Sequence, residues 1–432
     1  MKAISVIAIF DIGKTNKKLL LFDEHYKLVW ERATQLEEIT DEDGFPCENI
    51  EALSSWVQSS IESLLSDNQF SIKAINFSAY GASFVYVDKN GKTILPLYNY
   101  LKPFPTELSK KFYLDYGGEQ KISKETASPV LGNLNSGMQL YRIKHQFPGK
   151  YQNIETALHL PQFLSYLLTG NCYSDDTSIG CHTQLWDFNK KDYHDWVSEE
   201  GIDVKLAPIQ QCDTIGGHLN NSIPVGVGIH DSSAALIPYL ISFKEPFILL
   251  STGTWCISLN PFNHFDLTDD QLNKDCLCYI SFKGNTVKAS RLFAGYEHEE
   301  AVKKLAAQFN KPHDYYTTVS FDANLLVTQE TETYESAYHL LMATIVQQQV
   351  TSTNLVLRGT PVRKIFVDGG FSKNQIYMQL LTDSFPEIEI CAASIPQASA
   401  LGAALAIHAY WNEKNIPIDI IELKYYASKI SF

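Results

Sequence analysis

Val6-Ile7-Ala8-Ile9-Phe10-Asp11-Ile12-Gly13-Lys14-Thr15-Asn16-Lys17-Lys18-Leu19-Leu20-Leu21-Phe22 places two apolar runs of strand length on either side of a short polar turn. Runs rich in Val, Ile, Leu and Phe around such a turn predict a β-hairpin. Gly13 lets the backbone approach a ligand closely, and Lys14, Thr15, Asn16, Lys17 and Lys18 offer the positive charge and hydrogen-bond donors that suit a phosphate. Asp11, at the end of the first run, has the wrong sign for a phosphate. A Mg²⁺ ion between the two would reconcile them, since hard cations take carboxylate and phosphate oxygens together. An ordinary hairpin with a soluble basic turn fits this stretch equally well.

Gly13-Lys14-Thr15 also spells the end of the P-loop signature G-x-x-x-x-G-K-[ST]. That signature needs a glycine five residues earlier, where Ala8 stands inside an apolar strand, and a helix afterwards, where a second strand follows. The P-loop is therefore rejected.

At 432 residues, two domains are expected. An apolar content of 45% with 19% charged residues is that of a soluble globular protein. The formal net charge of −14 argues against nucleic acid as a partner, because phosphate-backbone binding wants a basic face. The first apolar run stops at Asp11 with no cleavage pattern after it, so no signal peptide is expected. No stretch approaches the roughly 20 apolar residues of a membrane span. The eight cysteines include no C-x-x-C pair, which predicts free thiols in a reducing, cytoplasmic setting rather than a zinc site.

Along the chain, Ile50, Leu53, Val57, Ile61, Leu64 and Leu65 recur at helical spacing. Ile72 to Ala79 reads as a strand running into Tyr80-Gly81-Ala82, the kind of strand exit where α/β sheets bind ligands. Phe84 to Asp88 and Thr93 to Leu95 predict a hairpin around Asn90-Gly91. Leu160 opens a helix that stops at Gly170. Ile223 to Ile229 is an apolar strand ending in His230-Asp231, followed by a helix that Ser232 or Ser233 could cap. A carboxylate there can orient or deprotonate a substrate hydroxyl. On local sequence alone, Asp231 as the helix N-cap is the better-supported reading.

Pro246 to Leu259 repeats the opening pattern, with Ser251-Thr252-Gly253-Thr254 as its turn, which suggests a duplicated architecture closing on a nucleotide. Lys364 to Asn374 is a strand, the pair Gly369-Gly370, and a helix start with Phe371 and Asn374. Ser399 to Ala406, with Gly402 at its centre, is a small-residue helix. Either segment suits close ligand approach or tight helix–strand packing.

In this order the segments resemble the FGGY family of carbohydrate kinases, within the actin-like ATPase superfamily. Asp11-Ile12-Gly13-Lys14-Thr15-Asn16 is similar to the family's first phosphate motif, and Leu250 to Trp255 to its second. Val367 to Asn374 with Ala400 to Ala404 is similar to its adenosine motif. His230-Asp231-Ser232-Ser233 stands at the position of the catalytic aspartate and is most similar to rhamnulose and fuculose kinases.

The resemblance implies an α/β chain of two ribonuclease H-like domains, mixed sheets flanked by helices, with a cleft between them. A sugar-binding unit over 1–238 and a nucleotide-binding unit over 239–432 are expected, with ATP and Mg²⁺ as cofactors. Asp231 would be the general base, and Asp11 with Asp231 would hold the metal. Gly13, Lys14, Thr15, Asn16, Lys17, Thr252, Gly253, Thr254, Gly369, Gly370, Phe371, Asn374 and Gly402 would hold the nucleotide. Where many members carry Trp-x-Asp-x-Arg, this chain has Tyr98-Asn99-Tyr100-Leu101-Lys102, so the sugar must be gripped differently. Tyr80, Gly81, Tyr98 and His230 are the candidates for lining that pocket. The expected substrate is a small deoxy-ketose such as rhamnulose or fuculose, with a homodimer as one assembly the chain could form. A nucleotide-binding regulator or ATPase on the same fold, without sugar transfer, is the alternative.

Overall fold

The computed structural model describes residues 3–327, 332–395 and 397–427. Met1, Lys2 and the last five residues of the expected 239–432 unit lie outside them. The opening hairpin forms as read. β1 (Ile4–Ile12) pairs antiparallel with β2 (Lys17–Asp23), which pairs with β3 (Leu28–Thr34). The helix expected from the Ile50 spacing is α1 (Ile50–Ser66), capped by the Asn49 side chain accepting from the Ala52 amide. β4 (Phe70–Ala79) lies parallel to β1.

β5 (Phe84–Val87) departs from expectation. The Asn90-Gly91 turn is made, but Thr93 contributes only an isolated bridge to Val87, and β5 pairs instead with β6 (Thr156–His159). A two-stranded hairpin alone is marginal, and a distant strand with a buried face supplies the better partner. α2 (Leu160–Thr169) ends at Gly170 with φ 72°, as its sequence predicts. β7 (Ile215–Leu219) and β8 (Ile223–Gly226) extend the sheet, and the following run resumes as β9 (Ile229–His230). Among the described residues the first sheet has the order β7-β8-β4-β1-β2-β3, with β9 beside β4. α3 (Asp231–Ser242) follows directly.

The second half repeats this plan. β10 (Phe247–Thr252) and β11 (Cys256–Asn260) form an antiparallel hairpin, flanked by β12 (Cys276–Ile280) and β13 (Thr286–Leu292). After α4 (Ala294–Gln308) and α5 (Tyr334–Leu357) comes β14 (Lys364–Gly369), parallel to β10 as β4 is to β1. α6 (Gln375–Ser384), β15 (Glu389–Ser394), α7 (Ala398–Ala406) and β16 (Glu422–Tyr426) complete a sheet ordered β12-β13-β11-β10-β14-β15-β16.

Both central hairpins are buried on two faces, so alternate residues feed different cores. Val6, Ala8 and Phe10 pack under α1 and α2, while Ile7 and Ile9 turn to a core shared with Leu249, Phe366, Ala400 and Leu401 of the second half. Each fully buried Ile, Leu or Phe contributes about 1.5–3 kcal/mol, so this shared layer ties the sheets together. α3 and α7 cross within it. A Cβ on Gly402 would lie 1.8 Å from the Ala234 carbonyl oxygen, so only glycine permits the crossing. All eight cysteines are free thiols.

Candidate active site

Asp11 closes β1, and Asp231 opens α3 immediately after β9. Since β1, β4 and β9 run parallel, the two carboxylates emerge at the same end of the first sheet. They line a cleft cavity of about 560 Å³, whose other wall comes from Thr252, Gly253, Thr254, Asp368 and Gly369 of the second sheet. Both Asp11 oxygens accept from the Ser399 hydroxyl at 3.0 Å. Burial, and then the Asp231 charge, push Asp11 up to about 6 against the pull of Ser399, Ser78 and Lys18. Asp231 is likewise pushed up to about 6 by burial, opposed by the Ser232 amide and hydroxyl, which donate to it at 2.6 and 3.2 Å. Neither serine caps α3, whose N-cap is His230: Ser233 donates instead to the Ile280 carbonyl, and Asp231, the first residue of the helix, both accepts from the Ser232 amide and lines the cleft.

His230 Nε2 lies 3.2 Å from Asp231 Oδ1, but burial holds the imidazole down to about 3, so it is neutral and adds no cation. Two mutually repelling carboxylates at the edge of this cavity form a donor set that a divalent cation fits, because it would replace the protons their raised pKa values favour.

The pleat decides which lysines of the opening turn are available. Lys17 points away from the cleft. Its ammonium donates to Glu48 at 2.8 Å and to the Lys14 carbonyl at 3.0 Å, with both Lys17 and Glu48 side chains 2% exposed. Its expected nucleotide contact is corrected to a buried structural ion pair. Lys18, one residue on and therefore on the opposite face, lines the cleft and donates to Gln397 at 2.7 Å. Lys14 also lines it, paired with Glu38 at 2.6 Å. Gly13, Thr15 and Asn16 shape the turn without lining the cavity: the Gly13 amide donates to the Asn16 carbonyl at 3.0 Å, and the Asn16 side chain accepts from Gln35.

Tyr80, Gly81 and His230 line the cleft as expected. Tyr98 does not; its hydroxyl donates to Glu42 at 2.6 Å, and its ring lies beneath Lys102 and Arg142. It belongs to a packed charged cluster that does not line the cavity. Gly402 is taken up by the helix crossing described above, not by a ligand. Gly369 presses against strand β10, where a Cβ would meet the Thr252 carbonyl at 1.9 Å. The Thr252 hydroxyl is also engaged, donating to the Asp368 carbonyl and accepting from the Phe371 amide at 3.0 Å. It fastens the ends of β10 and β14 together rather than offering a free donor.

Gly370, Phe371 and Asn374 line a second cavity of about 780 Å³, which shares Thr252, Gly253 and Thr254 with the cleft. Phe371 stacks on Tyr377 at 4.6 Å and meets the edge of His298 at 5.3 Å. Asn374 caps α6, and its amide donates to the Tyr338 hydroxyl at 2.7 Å. The Thr252–Thr254 turn is thus the threshold between an aromatic chamber and a carboxylate cleft.

Sequence reasoning missed Tyr100, His182, Tyr279, Arg291 and Ser399, all of which line the cleft. Ser399 stood in a quoted small-residue segment and Tyr100 in the Tyr98–Lys102 stretch at the sugar-contacting position, but neither was singled out; nothing local marked His182, Tyr279 or Arg291.

Comparison with known proteins follows the same outline. Residues 6–237 match the N-terminal domain of the FGGY family of carbohydrate kinases, and residues 244–324 match the carbohydrate kinase FGGY C-terminal domain. A rhamnulokinase of Oceanobacillus iheyensis is 22% identical over 91% of this chain and 90% of its own length. One from Mannheimia succiniciproducens is 23% identical, but over only 58% of this chain and 52% of its own length. A ligand-bound xylulose kinase from Lactobacillus acidophilus superimposes with a TM-score of 0.83 at 15% identity, covering 99% of this chain and 94% of that one, a likeness of fold alone. No helix among the described residues is long and apolar enough to cross a membrane. The chain belongs to the FGGY family of carbohydrate kinases, with the N- and C-terminal domains of that family, and is a phosphotransferase.

Proposed function

We propose that this FGGY kinase transfers the γ-phosphoryl group of ATP to a hydroxyl of a small deoxy-ketose such as rhamnulose or fuculose, with Asp231 as the base. The observation that carries the reading is the shared threshold. The Thr252–Thr254 turn borders both the aromatic chamber and the cleft holding Asp231, so one extended ligand can reach from one to the other. The nucleoside would sit against Gly370, Phe371 and Asn374, and the phosphates would pass over Gly253 and Thr254 toward Lys14 and Lys18. In this reading residues 1–238 hold the sugar and 239–432 the nucleotide. The rhamnulokinase relatives support the deoxy-ketose.

Phosphoryl transfer has a loose transition state, so positioning and charge neutralisation dominate. The sugar hydroxyl donates to the Asp231 carboxylate. As its oxygen bonds to the γ-phosphorus and the bond to the β-bridging oxygen breaks, the proton moves to Asp231 and ADP leaves. The pKa of about 6 leaves Asp231 ionised at neutral pH yet basic enough to take that proton. Lys14 and Lys18 offset charge on the transferred group. Mg²⁺, held by Asp11 and Asp231, would neutralise charge on the phosphate oxygens. Closure of the cleft would exclude water that otherwise hydrolyses ATP.

An ADP-release assay across ketoses, aldoses and polyols tests this. Turnover stimulated by a deoxy-ketose is expected. ATP binding with no sugar-stimulated turnover across the panel would leave a nucleotide-binding regulator in its place.

A further inference from the structure

Arg291, on β13 of the second sheet, lines the cleft but has no part in the chemistry above. Its guanidinium is fixed on two sides. Nη2 donates to Asp275 Oδ1 at 2.7 Å, and the group lies 5.1 Å from the centre of the Trp255 ring. The residue is only 7% exposed, yet Nε is buried with no hydrogen-bond partner among the described residues. A buried donor on a charged group without an acceptor is uncommon, because its lost hydration goes uncompensated.

His182 lines the same cavity and supplies the complementary function. Its Nδ1 lies 2.9 Å from the Leu134 carbonyl, which can only accept, so Nδ1 carries the proton and Nε2 is left as an acceptor. Burial and then the Arg291 charge push the imidazole well below its ordinary pKa, which keeps it neutral. His182 also holds φ at 40°, a costly conformation that persists only where its surroundings impose it.

We propose that Arg291 is the sugar-reading residue of the cleft, donating from the second sheet to a neutral oxygen of the sugar whose reacting hydroxyl Asp231 holds from the first. The inference rests on the sugar-kinase reading. The basic residues following β5 are occupied elsewhere: Lys102 bridges Asp41 and Asp43, and Arg142 pairs with Asp43 at 2.9 Å. Arg291 paired with Asp275 brings no net charge of its own, and the Asp11, Asp231 and Asp368 carboxylates of the cavity are met there by Lys14 and Lys18. Sugar binding in this reading spans both sheets.

The test is steady-state kinetics of wild type, R291M, R291K and D275N with the best sugar of the panel, alongside ATP affinity by calorimetry and melting temperature. Loss of a hydrogen bond to a charged donor predicts that R291M raises the sugar KM about 10- to 100-fold, with ATP affinity unchanged. R291K restores part of it, and D275N has a smaller effect in the same direction. An unchanged sugar KM in folded R291M overturns the assignment; should R291M fail to fold, an unchanged KM in R291K does so. Absence of any sugar turnover by wild type removes the kinase reading and this proposal together, whereas wild-type turnover with an Arg291-independent KM removes this proposal alone.

Discussion

Replacing Asp11 by Asn should make the ligand-free protein more stable at neutral pH while impairing its activity. Burial and the Asp231 charge raise the Asp11 pKa from 3.8 to about 6. A group whose pKa is raised on folding favours the folded state at pH below the unfolded value and loses that contribution as pH rises through the folded one. At pH 7.5 wild type therefore bears the cost of ionising Asp11 inside the cleft. A rise from 3.8 to about 6 corresponds to about 3 kcal/mol at most, and the partial solvent contact of a cleft residue reduces this to about 1–2 kcal/mol. Asn keeps an oxygen for Ser399 and carries no charge. Thermal and denaturant unfolding at a series of pH values from 4 to 8, without nucleotide, would show D11N melting several degrees higher at pH 7.5, since about 1 kcal/mol shifts a domain of 150–250 residues by about 2–4 °C. The gap should shrink as pH falls through 6 and vanish near 4. A variant less stable than wild type at pH 7.5, or a gap independent of pH, would refute the reasoning. In the presence of MgATP the order should reverse, because only wild type keeps both carboxylates for the metal.

Asp231→Asn should retain ATP binding by calorimetry and lose sugar phosphorylation by several orders of magnitude, as removal of a group acting in the transition state does. In wild type, kcat/KM should fall as pH drops through about 6, where Asp231 takes up its proton and ceases to be a base. Lys17→Met should lower stability by about 3–5 kcal/mol, because it strands Glu48 in a buried site, with little change in the KM for ATP. Lys18→Met should do the opposite, weakening ATP use with a small stability effect, so a direct comparison of the two melting curves and KM values checks the assignment of faces. Gly402→Ala should cost about 1–3 kcal/mol through its clash with the Ala234 carbonyl and leave nucleotide affinity intact in the folded fraction, as read by calorimetry.

The opening hairpin, its echo at Phe247–Asn260, α1 and the strand that exits at Tyr80 were all legible because their signals are local: period-2 or period-3.6 apolar spacing, bounded by turn residues. The order of these motifs was enough to specify the duplicated fold and the kinase class, and it pointed to Asp11, Asp231 and the Thr252–Thr254 turn. What a residue faces was not legible. Lys17 and Lys18 are chemically identical neighbours, and only the pleat of β2 against Glu48 on one side and the cleft on the other separates a buried ion pair from a cleft cation. Gly402 reads equally as ligand approach or helix crossing until α3 lies across it. Ser399 meets Asp11 across 388 residues of chain, and Arg291 shares a cavity with Asp231. Such pairings depend on how two sheets pack around a common core, a long-range outcome that no window of local sequence contains. The sequence by itself therefore determined the reaction class and the local elements of the fold, while the tertiary structure decided which side chains the cleft can use.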